Sequence, residues 1–122
     1  SDDAPLIKGI FAIRNLRQEE GLARFSGDEA RYRHWLREFI GHGPAAMMQI
    51  RQAINKGSAE AAIRLVHALK GRTGMLGMAE VHSIALSLEM TLRNREPTAL
   101  WLQELESTIH EMCKELADAL LE

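Results

Sequence analysis

"DEARYRHWLREFIGHGPAAMMQIRQAINKG", residues 28–57, decides the fold. Apolar or aromatic side chains fall at Tyr32, Leu36, Phe39, Ile40, Met47, Ile50 and Ile54. The steps are mostly threes, fours and sevens, the spacing of one face of an amphipathic helix. "GHGP" at 41–44 interrupts the stretch, yet the apolar phase carries through it. A proline removes one hydrogen bond and kinks a helix without shifting its register. The pattern therefore predicts one long helix over roughly 28–56, bent near Pro44. Gly57 is its stop, and Ser58 is placed to cap the next helix.

The same reading extends in both directions. A second helix is predicted over 59–75 and a third over 78–94, the latter with Val81, Ile84, Ala85, Leu88 and Leu92 on one stripe. "NREP" at 94–97 breaks the third, and Pro97 suits the first turn of a fourth. That fourth helix runs to about 121, with Leu102, Leu105, Ile109, Met112, Leu116 and Leu120 in a 3-4 pattern. Short connections between long amphipathic helices make antiparallel neighbours. The fold class is thus all-α, an antiparallel up-down four-helix bundle with an additional short N-terminal helical segment. "EEGLARF" at 19–25 supplies that segment, and "PLIKGIFAI" at 5–13 could cap one end of the bundle. Residues 1–18 read as a linker or capping segment and 19–122 as the bundle domain. Valine occurs only at Val66 and Val81 and aromatics make up 5%, so no strand is signalled.

Composition bounds the function. The 122 residues carry a net charge of −2, with 46% hydrophobic and 26% charged side chains, ordinary for a soluble domain. The balance argues against a nucleic-acid binder, which would be clearly basic. No apolar run approaches the length of a membrane span, so direct membrane contact is not expected. One cysteine, Cys113, excludes an internal disulfide framework and fits a reducing, cytoplasmic compartment. The acidic, proline-bearing start "SDDAP" resembles a linker, which favours an excised domain of a longer chain.

The chemistry concentrates in "VHALKGRTGMLG", residues 66–77. Each interior glycine weakens a helix by about 1 kcal/mol relative to alanine, yet glycines recur here at 71, 74 and 77. At about 100° per residue, Ala62, Leu65, Leu69, Thr73 and Leu76 share an arc of about 80° with Val66 at its edge, which is the core face. His67 lies about 150° from the centre of that arc and points outward. Gly71 and Gly74 follow it at i+4 and i+7 on the same stripe, with Lys70 on the flank. The glycines would leave the imidazole on an open patch that another protein can approach. Gly77 lies at the helix end and is expected to shape the turn. An exposed imidazole is largely neutral and nucleophilic at neutral pH. It can take a phosphoryl group as a phosphoramidate, with Lys70 offering positive charge to the phosphoryl oxygens. No glycine-rich phosphate loop accompanies it, so the chain is expected to have no ATP site of its own.

At these residues the sequence resembles the histidine-containing phosphotransfer (HPt) family. His67, Leu69, Lys70, Gly71 and Gly77 match that family's motif. The resemblance extends to "GLARFSGDEARYRHWLREF" at 21–39, and to "LSLE" at 86–89, where Leu88 and Glu89 match a recurrent pair. It covers about residues 20 to 120. It implies that His67 is the phospho-accepting residue, with Lys70, Gly71 and Gly74 in support. It implies relay between receiver-domain aspartates in two-component signalling, with no intrinsic cofactor and Mg²⁺ supplied by the receiver. The implied setting is a bacterial hybrid sensor histidine kinase, whose parent chain could be membrane-anchored. A standalone or chemotaxis-kinase phosphotransfer domain is the competing setting. Arg72 and Met75 depart from the family's usual small and polar residues, and Arg72 is expected to lean to the surface away from His67.

The remaining residues carry plainer readings. His34, His42, His82 and His110 read as inert surface histidines, the six methionines as core filler, and Glu89 as a structural hydrogen-bonding residue. A di-iron bundle needs Glu-x-x-His pairs, whereas Glu38–His42 and Glu106–His110 are spaced i+4. A docking or dimerisation module without phosphotransfer would not need the His67–Lys70–Gly71 set.

Overall fold

The computed structural model describes residues 13–121. Five helices follow one another: α1 (Gln18–Arg24), α2 (Glu29–Asn55), α3 (Ala59–Leu76), α4 (Ala79–Arg93) and α5 (Ala99–Leu120). Helices α2 to α5 form a closed ring in which α2 packs on α3 and α5, and α4 packs on α3 and α5. The cross-contacts run in opposite senses, with Phe39 against Cys113 and Arg51 against Glu106 between α2 and α5, and His67 against Glu89 and Lys70 against His82 between α3 and α4. This is the antiparallel four-helix bundle, with α1 laid against α2 and α3 as the extra short helix.

The long helix α2 passes through Pro44 unbroken. Its start is capped by Asp28, whose carboxylate accepts from the Arg31 amide at 3.0 Å. Lys56 and Gly57 end it, Gly57 at φ +74°, a left-handed conformation that glycine adopts without strain. Ser58 stands at the N-cap of α3 but makes no side-chain cap bond. Pro97 falls outside α5, whose N-cap is Thr98, so the helix begins just beyond the expected first turn.

The core is one cluster. Tyr32, Leu36, Phe39 and Ile50 of α2, Val66 and Leu69 of α3, Val81 and Leu88 of α4, and Leu105, Ile109 and Leu116 of α5 are all buried in it. On α3 the buried face is centred nearer Val66 than expected, and Leu65 is only partly buried. The methionines split: Met47, Met78 and Met112 are buried, whereas Met48, Met75 and Met90 are exposed. Core filling therefore accounts for half of them.

The α3–α4 turn is held by α2 and by the segment ahead of α1. Gly77 ends α3 at φ +80°, and a β-carbon there would run into the Arg17 carbonyl. The Arg17 amide donates to the Gly77 carbonyl at 2.8 Å, and the Tyr32 hydroxyl donates to the Leu76 carbonyl at 2.8 Å. Gly21 of α1 lies flush on the Tyr32 ring, with no room for a side chain. Ile13 and Leu16, from the stretch read as a linker or cap, are buried in the core. The rest of "PLIKGIFAI" lies outside the described residues. Among those residues no helix is long and apolar enough to cross a membrane.

Candidate functional site

His67 sits near the middle of α3, and its side chain is 63% exposed. Its outward direction follows from the α3 register, since Val66 and Leu69 face the core. Across the seam, α4 presents Glu89. This carboxylate is only 5% exposed, because Leu88 and Leu92 beside it carry α4 into the core. A buried carboxylate must be paired, and Glu89 is paired three times over. Its Oε2 lies 3.1 Å from His67 Nδ1 and 2.8 Å from Arg93 Nη2, and its Oε1 lies 2.7 Å from Lys70 Nζ. Burial would push the Glu89 carboxyl up. The hydrogen bonds from Lys70, Arg93 and His67 outweigh it and hold the group down at about 2.

An ionised carboxylate only accepts, so His67 Nδ1 must carry the proton. The neutral ring then keeps its lone pair on Nε2. Glu89 thus fixes the tautomer and turns the nucleophilic nitrogen away from the carboxylate. Lys70, on the next turn of α3, is 23% exposed. Its ammonium pairs with Oε1 of the same carboxylate whose Oε2 meets the His67 ring.

The two glycines differ. A β-carbon at Gly71 would meet nothing within 4 Å, so this side of His67 is open. A β-carbon at Gly74 would lie 3.2 Å from His82 Nδ1. Gly74 therefore accommodates a ring from α4 and does not clear the surface around His67. An open groove of about 430 Å³ runs from Lys70 and Gly71 to Gly77, bounded by Arg17 at the N-cap of α1, Arg24 of α1 and His82 of α4.

Sequence reasoning placed His67, Lys70, Gly71 and Gly74 on one helix, and the structure brings the first two to a single carboxylate. It missed that Glu89 bonds His67 itself, and that Arg93 joins them. The i+4 spacing of Glu89 and Arg93 was the available signal. It also missed His82, whose Nδ1 lies 2.8 Å from the Lys70 carbonyl. Arg72 is exposed and lines a separate groove with Trp35 and Met75, as expected for a side chain leaning away from His67.

The family model for the Hpt domain matches residues 34–119, well over half of the chain. The chain belongs to the Hpt domain family. Hpt domains serve phosphotransfer in two-component signalling, and they interact with receiver domains. The matched segment of this Hpt domain spans His67, Lys70, Glu89 and Arg93 together. Neither the curated proteins nor the solved structures give a match to the chain.

Proposed function

We propose that this Hpt domain is a phosphorelay intermediate in which His67 accepts a phosphoryl group from a receiver-domain aspartate and passes it to another. The observation that carries the reading is the exposed imidazole whose Nδ1 is held by a buried carboxylate. Nε2 attacks phosphorus with its lone pair. The N–P bond forms as the aspartyl P–O bond breaks, and that electron pair returns to the carboxylate. The ring becomes a cation on attack, and Glu89 stabilises it through the Nδ1 proton without taking that proton. Lys70 faces the phosphoryl oxygens with its remaining donors. Gly71 leaves space for the partner's surface. Mg²⁺ is contributed by the receiver, and this chain brings no cofactor. The setting is the cytoplasmic part of a hybrid sensor kinase, where the domain has no kinase activity of its own.

A small donor tests the nucleophile without a partner. Phosphoramidate should label the chain at His67: its N–P bond breaks, ammonia leaves and the His67 N–P bond forms. The label should be lost in acid and survive in base. His67→Gln should keep the bundle and take no label, from phosphoramidate or from a phosphorylated receiver. Mg²⁺ and ATP alone should leave the parent unlabelled. Labelling of His67→Gln at another histidine, or self-labelling with ATP, would overturn the assignment. A parent that binds a phosphorylated receiver without taking up phosphate would be a docking module instead.

A further inference from the structure

His82 lies outside the Glu89 cluster, yet it reaches the backbone of the residue that cluster depends on. Its Nδ1 is 2.8 Å from the Lys70 carbonyl oxygen. A carbonyl only accepts, so Nδ1 carries the proton and donates. A helix carbonyl is ordinarily screened from a neighbouring helix by the side chain four residues on. For Lys70 that residue is Gly74, and the His82 ring occupies the space its side chain would fill. Gly74 and His82 are therefore a matched pair, one removing a side chain so that the other can reach the backbone.

The turn they join needs the tie. It carries Gly71 and Gly74, the weakest helix formers after proline. Thr73 adds a second bond to the same carbonyl, its hydroxyl lying 3.1 Å from Lys70 O and 2.9 Å from Leu69 O. Along α4, His82 and Glu89 are two turns apart on one face, and they meet α3 at Lys70 and Gly74, and at His67 and Lys70, respectively. Two polar links thus set how α3 and α4 lie against each other on either side of Lys70.

We infer that His82 is a positioning residue for phosphotransfer: through the Lys70 carbonyl and the space left by Gly74, it fixes the turn of α3 that aims the Lys70 ammonium at the phosphoryl group. The inference rests on the phosphotransfer reading above. The contacts of His82 with α3 are to the Lys70 carbonyl and the Gly74 position, so its effect passes through Lys70.

The test labels the 122-residue chain with phosphoramidate and follows the rate at His67. His82→Leu fills the space without a donor and should slow labelling by about 3- to 10-fold, the worth of one hydrogen bond. His82→Asn, whose amide nitrogen reaches about as far as Nδ1, should restore most of the rate. In a Lys70→Ala background His82→Leu should add nothing, because the residue it positions is gone. Equal labelling of His82→Leu and the parent, or an undiminished effect in the Lys70→Ala background, would overturn the inference and leave the phosphotransfer reading standing. A parent that takes no label overturns both. Nitrogen NMR of the parent's histidine rings covers the case of a variant that does not fold. His82 should be the Nδ1–H tautomer, and an Nε2–H tautomer sinks the inference.

Discussion

The two helix seams on opposite sides of this bundle follow different rules. Between α2 and α5 the contact is dry. Phe39, Met47 and Ile50 meet Leu105, Ile109 and Leu116, and Gly43 lets the Phe39 ring and Ile109 close over it. The ion pair there lies at the margin, Arg51 to Glu106 at 2.6 Å, both partly exposed, and the buried polar contact is a weak one, the Cys113 thiol to the Phe39 carbonyl at 3.6 Å. Between α3 and α4 a carboxylate is buried against two cationic side chains and the His67 imidazole, and a second ring reaches helix backbone. Both seams use glycines, for opposite ends. Gly43 tightens the dry seam, whereas Gly71 opens the surface beside His67. A buried ionic group is weak evidence of stabilisation, since apolar residues of the same shape often do as well. The dry seam supplies the packing that lets the other hold a charged group for chemistry.

Substitutions can break that contrast. His67→Gln gives the largest effect, complete loss of label in a bundle that still folds, because the exposed ring leaves the apolar core untouched and Glu89 keeps Lys70 and Arg93. Glu89→Gln comes next. It should slow phosphoramidate labelling by about tenfold, as the Nδ1 proton loses its charged acceptor. It should also cost about 1–3 kcal/mol by denaturant titration, the range for disrupting a charged hydrogen-bonding group.

The same residue gives a pH signature. The folded Glu89 carboxyl is held at about 2, below its model-compound value of 4.5. Its contribution is therefore present above about pH 4.5 and is lost as pH falls through about 2. Acid unfolding of Glu89→Gln should lack that component, and a curve parallel to the parent's would show that the charge adds nothing. On the dry seam, Gly43→Val should cost about 1–3 kcal/mol by overpacking against Phe39 and Ile109. It should leave the labelling rate of the folded fraction as it was. Loss of labelling there would mean the two seams are coupled.

Gly71 gives the smallest effect and the sharpest distinction. Gly71→Ala should raise stability by up to about 1 kcal/mol, since helix propensity improves and nothing is near. Gly71→Leu should label normally with phosphoramidate yet slow transfer from a phosphorylated receiver. Equal slowing with both donors would show that Gly71 does more than clear space for a protein.

Most of the fold was written in apolar spacing. The phase carried across Pro44 was enough to keep α2 whole, and Gly57 marked its end where φ turns positive. His67's exposure followed from the α3 wheel alone. The rest was invisible because it lies between helices. A wheel places Glu89 at the edge of an apolar stripe, but not opposite His67. That juxtaposition depends on the rotation and offset of α4 against α3. Gly74 illustrates the same limit. It shares a stripe with Gly71, and its neighbour, His82, belongs to another helix and read as one more surface histidine.

The strapping of the α3–α4 turn bears on where the cooperative folding unit begins. The family match starts at residue 34, but Tyr32 lies ahead of it, wholly buried, with its hydroxyl on the Leu76 carbonyl. The Arg17 amide lies further ahead still, on Gly77. A chain trimmed to the matched segment would leave the Leu76 and Gly77 carbonyls to water and uncover the apolar ends of α2 and α3. Amide exchange would then report local opening of the turn that links α3 to α4, in place of exchange with the whole domain. Phosphotransfer depends on helices holding that geometry, so the working unit extends N-terminal to the motif that identifies it.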